Sequence, residues 1–451
     1  MRARLVTIFS IVAVALVYLH VKGMNGPGYF PWEWQRLPAL PSFALIAAGM
    51  LPFCAGQYLY ARRPRRVWLP VLSVSASTLA LQIVCAALYN PPFDVHRISD
   101  VVESPSATGY YTIASDLFDG SHAGPLRDWL PAYPALMASF PGHGQTKPPG
   151  PVLYYYAFIN LFGRGTAAAL AGGALVGLLA AAGVVCTFLL LDVLLENSAA
   201  AFHGASFFAL CPGLLLFFPE FDQIYPIFTA AMLTSWSLTL KRRSIAYAAA
   251  FGAAVSVAIF WSYSLLLLGL FLAAYTLAGL ATDRATRLGS VAAYAAGAVL
   301  IVCASYAVLW LATGFDAVGT FRAAVANQAR LLPALRRPYP QTIFWDLFDF
   351  ALGTGWISGL LVVFWLHRSA LGTGRSRLIA FLALGQIAAV AIIGLLQTET
   401  ARVWIFMMPL VMIPIGLELQ EWTARGRFAV YACLALVVAA IHQNMLFLGI
   451  K

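Results

Sequence analysis

The residues that could do chemistry in this chain of 451 residues are few and unevenly placed. Six of its eighteen carboxylates, Asp94, Asp100, Glu103, Asp116, Asp119 and Asp128, fall within residues 90–150. A carboxylate held partly out of water gains proton affinity and can act as a general base. Asp94, Asp100 and Glu103 are the candidates for that role, and the choice among them is open. The plainer reading is a set of solvated loop charges and helix N-terminal acids. The same stretch ends in Gln145-Thr-Lys147-Pro-Pro-Gly150, where two prolines fix an extended entry into an apolar run. Lys147 then sits at a fixed depth, where its ammonium can offset a phosphate. The alternative is a snorkelling lysine. Two further clusters follow, Glu220-Phe-Asp222-Gln223 and Glu399-Thr-Ala-Arg402. The Arg402 guanidinium suits bidentate phosphate binding, or else an internal pair with Glu399 at i,i+3. Carboxylates of the 218–225 turn and the 90–150 stretch could together ligate a divalent metal, although nothing in the sequence requires one.

The elements that must position these groups are apolar helices. The chain is 61% hydrophobic and 10% charged, with a mean hydropathy of +0.80. A soluble chain carries about 25% charged residues, so the composition is that of a polytopic membrane protein. Runs long enough to span, at about 20 residues each, lie near 5–22, 42–61, 67–88, 166–192, 199–217, 224–240, 245–262, 264–281, 288–312, 351–367, 378–396, 403–418 and 428–448. That is thirteen spans (eleven at the least) in an all-α fold. The opening run has no A-x-A cleavage signal and reads as an uncleaved first span.

Short basic loops set the orientation. Arg2 and Arg4, the 62–66 arginines, Lys241 to Arg243, Arg284 and Arg287, Arg368, Arg375 and Arg377, and Arg425 and Arg427 share one side if all thirteen spans are real. This predicts a cytoplasmic N-terminus. Thirteen of the eighteen acids then lie outside. Four outer pieces result: the long 90–165 loop, the 218–225 turn, the 314–350 loop with Arg322, Arg330, Arg336 and Arg337, and 397–402. The 90–165 loop should contain a helix near 108–118 and an interfacial helix over 152–162 with tyrosines at headgroup depth. All these pieces belong to one transmembrane domain over 1–451. The net charge of +10 forms no single basic patch, which excludes a nucleic-acid partner. The six cysteines stand singly in apolar runs, as small buried hydrophobes do. No P-loop motif is present, and no cytoplasmic loop is large enough for a nucleotide domain.

In this arrangement the chain resembles the GT-C glycosyltransferases. Gly109-Tyr-Tyr-Thr-Ile-Ala-Ser-Asp-Leu-Phe-Asp-Gly120 resembles that family's tyrosine helix. Thr146-Lys-Pro-Pro149 with Leu153-Tyr-Tyr155 resembles the Lys-Pro-Pro element of the protein O-mannosyltransferase and aminoarabinose-transferase branch. Glu399-Thr-Ala-Arg402 with Pro409 resembles its Glu-x-x-Arg element. The likeness covers residues 98–243 and the surroundings of Arg402, about half the chain. Two features depart from it. Ser106 and Ala107 stand where that branch has an Asp-Glu pair, and two extra spans precede the loop.

The resemblance implies an enzyme that moves a sugar from a polyprenyl-phosphate donor to a lipid, glycan or protein acceptor. It implies a prokaryotic inner membrane, with the catalytic loop periplasmic. Asp100, Glu103 or Asp94 would be catalytic, and Lys147 and Arg402 would hold the donor phosphate. Tyr110, Tyr111, His143, Asp222, Gln223 and Glu399 would contact substrate. No cofactor is expected with certainty. The competing readings are a transporter or flippase of lipid-linked saccharides and a non-catalytic subunit of an envelope assembly complex.

Overall fold

The computed structural model describes residues 1–20, 32–90, 93–121, 124–282, 287–335, 337–369 and 374–447; Asp283, Arg284 and Arg336 lie outside them. The described chain is helical, apart from one two-stranded antiparallel ladder of Trp32–Trp34 with Met445–Phe447. It is an all-α, membrane-spanning protein. Among the described residues, seven helices are long and apolar enough to cross a bilayer: Pro41–Arg62, Trp68–Leu88, Thr166–Leu195, Tyr263–Thr282, Leu288–Thr313, Arg375–Ile393 and Ala424–Asn444. An eighth results if Gln341–Thr354 and Ile357–Ser369, bent by 103° at Gly355-Trp356, form one broken span.

The thirteen apolar runs differ from these in length and continuity. Arg2–Tyr18 and Ile245–Trp261 have 17 residues each, about 25 Å of helix against a hydrocarbon layer of about 30 Å. The run at 199–217 is broken where Pro212, which has no N–H to donate, starts a new turn after Ser198–Phe208. The run at 403–418 enters through the single turns Thr400–Val403 and Ile405–Met407 before the helix Met408–Leu419.

The chain packs as two compact units. One comprises Met1–Arg97, Val176–Ala230 and Arg336–Lys451; the other comprises Ile98–Leu175 and Ala231–Leu335. In the first unit, Ser198–Phe208 packs closely on Met408–Leu419. A Cβ on Gly416 would lie 2.2 Å from the Ala200 carbonyl, and one on Gly204 would lie 2.8 Å from that of Met412. Small residues let two backbones approach in this way where lipid provides no hydrophobic drive. Asn197 caps the first of these helices at the Ala200 N–H, 3.0 Å away. At the far end of Met408–Leu419, buried Glu418 accepts from Arg2 at 2.7 Å, from Arg368 at 3.0 Å and from the Trp422 indole at 2.8 Å. Arg375 pairs with Glu196 at 3.6 Å. These are residues that the charge pattern assigns to one membrane side.

In the second unit, Ile245–Trp261 packs on Leu288–Thr313, and Tyr110–Phe118 on Gly150–Phe162. Only 6% of the most apolar stretch of Leu288–Thr313 is buried, so most of that helix meets lipid. The helices expected near 108–118 and 152–162 are observed as Tyr110–Phe118 and Gly150–Phe162.

Candidate active site

The second unit carries the acidic end and the lysine end of the long loop. A seven-residue helix, Arg97–Glu103, leads into a turn and then into Tyr110–Phe118. Gly109 starts the latter at φ 76°, and a Cβ there would lie 2.7 Å from the Pro141 carbonyl. Glycine is needed for both the left-handed backbone and the close approach. The approach brings the 141–147 strap against the tyrosine helix. The His143 N–H donates to the Thr108 carbonyl at 3.1 Å.

The strap is pinned along its length. Asn327 donates to the Gln145 carbonyl at 2.9 Å, and Arg330 to the Gln145 side-chain oxygen at 2.8 Å. The Tyr133 hydroxyl donates to the Lys147 carbonyl at 2.8 Å. The Lys147 ammonium donates to the hydroxyl of fully buried Ser262 at 2.8 Å. Gly150 allows the next helix to touch the Ile245–Trp261 helix, since a Cβ there would lie 2.4 Å from the Phe260 carbonyl. Lys147 is therefore held half-buried on a fixed backbone, which a mobile snorkelling lysine is not.

The acidic residues divide by environment. Glu103 is half-buried and its Oε1 has no hydrogen-bond partner. Burial first, then the charge of Asp100, raises its proton affinity, against Arg164, which lowers it. Arg164 itself pairs with Asp119. Asp100 is exposed. Asp94, in the first unit, accepts from the His96 N–H at 2.9 Å and lies 2.8 Å from its Nδ1. These hydrogen bonds, the backbone one foremost, hold its carboxyl below the usual range. Tyr110 and Tyr111 are buried. The Tyr111 hydroxyl donates to the Gly165 carbonyl at 2.9 Å and accepts from its N–H at 2.8 Å. Its ring meets Tyr155 edge-on at 5.8 Å. Burial chiefly raises the Tyr111 phenol, and the Glu103 charge adds to the rise.

The first unit holds the remaining expected residues in a buried polar cluster. Arg402 is fully buried among three carboxylates: Glu220 at 3.0 Å, Asp222 at 3.6 Å and Glu399 at 2.5 Å. The internal Glu399–Arg402 pair is thus present, with two more acids on the same guanidinium. Gln223 and Gln82 both donate to the Leu214 carbonyl, at 2.6 and 2.7 Å, and the Oε1 atoms of both lack partners. Glu220 is pushed up to about 7 by burial, with Asp222 and Glu399 adding to the rise and Arg402 opposing it.

A second arginine cluster in the same unit meets this group through residues 398–400. Arg337, which the sequence places in the outer 314–350 loop, is buried at 1% exposure. It pairs with Asp346 at 2.9 Å and Asp349 at 3.7 Å. The Thr398 and Thr400 N–H groups reach the same two aspartates at 3.4 and 3.0 Å. Leu396, Thr398 and Glu399 all have left-handed φ, between 50° and 67°. Such backbone strain in non-glycine residues gathers at functional sites. Two guanidiniums here serve five buried carboxylates, an excess of negative charge that a low-dielectric interior tolerates only when some of it is protonated. Among the described residues, no group of three or more His, Cys, Asp or Glu is arranged to hold a metal ion.

No protein-family model matches the chain, and no curated protein matches it. Solved structures are similar, among them the crystal structure of ArnT from Cupriavidus metallidurans bound to undecaprenyl phosphate, at 18% identity and a TM-score of 0.46. The match covers 70% of this chain and 60% of that one, so less than two thirds of ArnT's length.

Sequence reasoning missed Ser262, Tyr133 and Asn327, which hold the strap from distant helices. It also missed Asp346 and Asp349. Their signal is visible in retrospect: two aspartates three apart in the otherwise apolar Gln341–Thr354 helix share one face.

Proposed function

We propose that this chain is a membrane glycosyltransferase of GT-C architecture, which moves a sugar from a polyprenyl-phosphate donor to an acceptor hydroxyl. The observation that carries the reading is the pairing, within one unit, of a fixed lysine and a partly buried carboxylate with an unpartnered oxygen. Lys147 introduces the Gly150–Phe162 helix; the Tyr110–Phe118 helix packs on it; and the Tyr111 phenol feels the charge of Glu103.

In this reading the Glu103 carboxylate removes the acceptor hydroxyl's proton. The hydroxyl oxygen bonds to the anomeric carbon as the bond from that carbon to the lipid phosphate breaks. The phosphate leaves with the electron pair, and the Lys147 ammonium offsets its growing charge. Asp100 raises the proton affinity of Glu103 from outside. His143 on the strap contacts substrate, whereas Tyr110 and Tyr111, buried, position the helix. In the first unit, the free Oε1 of Gln223 is suited to accept from a substrate hydroxyl. Arg402 holds residues 397–402 to 218–225 through its acids, and Asp222 and Glu399 act through it. The acceptor is a lipid, glycan or protein bearing a hydroxyl. The charge pattern supports a cytoplasmic N-terminus and a periplasmic loop in a prokaryotic inner membrane.

The test is transfer from a radiolabelled polyprenyl-phosphate sugar by the purified protein. Glu103→Gln and Lys147→Gln should each lose at least 100-fold in rate, the scale of one general base or one oxyanion-stabilising group. Full activity in both Glu103→Gln and Asp100→Asn would end the carboxylate assignment.

A further inference from the structure

A long groove in the first unit takes no part in the chemistry above. It runs between the Pro41–Arg62 span and the Ala424–Asn444 helix, and its volume is about 1030 Å³. That is at the upper end of small-molecule sites, which run to about 1,000 Å³. Phe43, Met50, Phe53, Phe428, Leu436 and Ala439 line it. The groove is polar in only two places. Along its wall, Gln57 donates to Ser206 at 2.9 Å, and His203 lies 3.2 Å from the Tyr431 hydroxyl. At one end are Arg425 and Arg427, beside Tyr60 and Pro64.

The two ends are chemically distinct. From Ala424 to Ala439 the groove follows sixteen residues of one helix, about 22 Å from end to end at 1.5 Å per step. This is more than half of the hydrocarbon layer of about 30 Å, the depth that one leaflet's acyl chains occupy. The basic end lies at the N-terminus of the 21-residue Ala424–Asn444 helix, where the helix dipole also favours an anion. Arg427 is locked there by donating to the carbonyls of Leu419, Gln420 and Trp422 at 3.4, 3.3 and 2.6 Å. Arg425 is exposed and has no carboxylate or hydrogen-bond partner among the described residues. Arg2 and Arg368 at this same end are already paired with Glu418 and Glu421, which leaves an anion to Arg425 and Arg427.

We infer that this groove binds an anionic glycerophospholipid of the surrounding bilayer, with its phosphate at Arg425 and Arg427 and an acyl chain along the Phe53–Leu436 wall. The groove is long enough for a leaflet's acyl chain, its lining matches acyl chains, and its charges among the described residues are cationic and at one end. Neither Lys147 nor Glu103 is among its lining residues, and the inference does not depend on the proposed reaction.

Native mass spectrometry of the full chain in detergent tests this, with dioleoylphosphatidylglycerol and dioleoylphosphatidylcholine offered separately at equal concentration. The anionic lipid should bind about fivefold better, as about 1 kcal/mol for the one exposed basic residue, Arg425, at a membrane surface implies. Arg425→Gln, at an exposed position that leaves folding intact, should remove most of that preference. Ala435→Trp, which fills the groove, should remove both adducts. Equal binding of the two lipids, or phosphatidylglycerol adducts that persist in Ala435→Trp, would overturn the inference. So would displacement of phosphatidylglycerol by an equal amount of polyprenyl phosphate, which would mark the groove as a site for a substrate lipid.

Discussion

The Lys147 ammonium donates to the Ser262 hydroxyl at 2.8 Å, across 115 residues of sequence. Ser262 follows directly on the Ile245–Trp261 helix and is fully buried, so it fixes both the depth and the direction of the ammonium. Ser262→Ala should cost about tenfold in transfer rate, since loose positioning weakens any preorganised charge. Added to Lys147→Gln, the same change should cost nothing further. A double-mutant cycle on kcat/KM reads this directly, and additive losses would show that Ser262 acts elsewhere.

Glu103 binds its proton more tightly than an ordinary glutamate because it is partly buried beside Asp100. A general base must be ionised, so the rate should rise with pH through a value above the usual glutamate range of about 4.3. Removing Asp100 should move that limb towards lower pH, because a neighbouring negative charge disfavours ionisation. The pH profile of kcat/KM for Asp100→Asn tests this, and an unmoved or upward-shifted limb would contradict it.

The Glu220 carboxyl is raised above its unfolded value in the folded state, to about 7. Between the ordinary glutamate value and about 7, the folded protein binds more protons than the unfolded chain at this site. Stability therefore falls as pH rises through that window. Glu220→Gln should flatten this part of the dependence of Tm on pH in detergent. An unchanged profile would mean that the excess charge is held elsewhere in the cluster.

Arg402→Met leaves Glu220, Asp222 and Glu399 buried without their cation. The expected loss is about 3–5 kcal/mol, as for breaking a buried pair from one side. Arg402→Lys should recover little, because a single ammonium cannot face three carboxylates as a planar fork does. Thermal unfolding of the two variants measures both effects.

Much of this arrangement is legible in the sequence, and what is not has a physical reason. Apolar runs and breaker residues give the helices 110–118 and 150–162 to within two residues, because prolines and glycines mark their ends locally. Lys147-Pro-Pro is legible for the same reason. Ser262 is not, because a lone serine after an apolar run carries no sign of a partner in another helix. The span count is set by where helices break. The break at Pro212 lies inside a run that reads as one span, because its apolar composition continues on both sides, and the 103° bend at Gly355-Trp356 depends on a left-handed tryptophan that no propensity favours. Arg337 reads as an exposed loop charge beside its prolines. Its burial follows only from the aspartate pair 9 and 12 residues later in the chain.

The central claim is that Lys147 and Glu103 serve one sugar-transfer reaction. Incubating the purified protein with a radiolabelled polyprenyl-phosphate sugar and membrane-derived acceptors tests it most directly. The expected result is label transferred by the wild-type chain and lost, at unchanged Tm, in both Lys147→Gln and Glu103→Gln. Undiminished transfer by either variant, or no transfer by wild-type protein that binds the donor, would contradict the account.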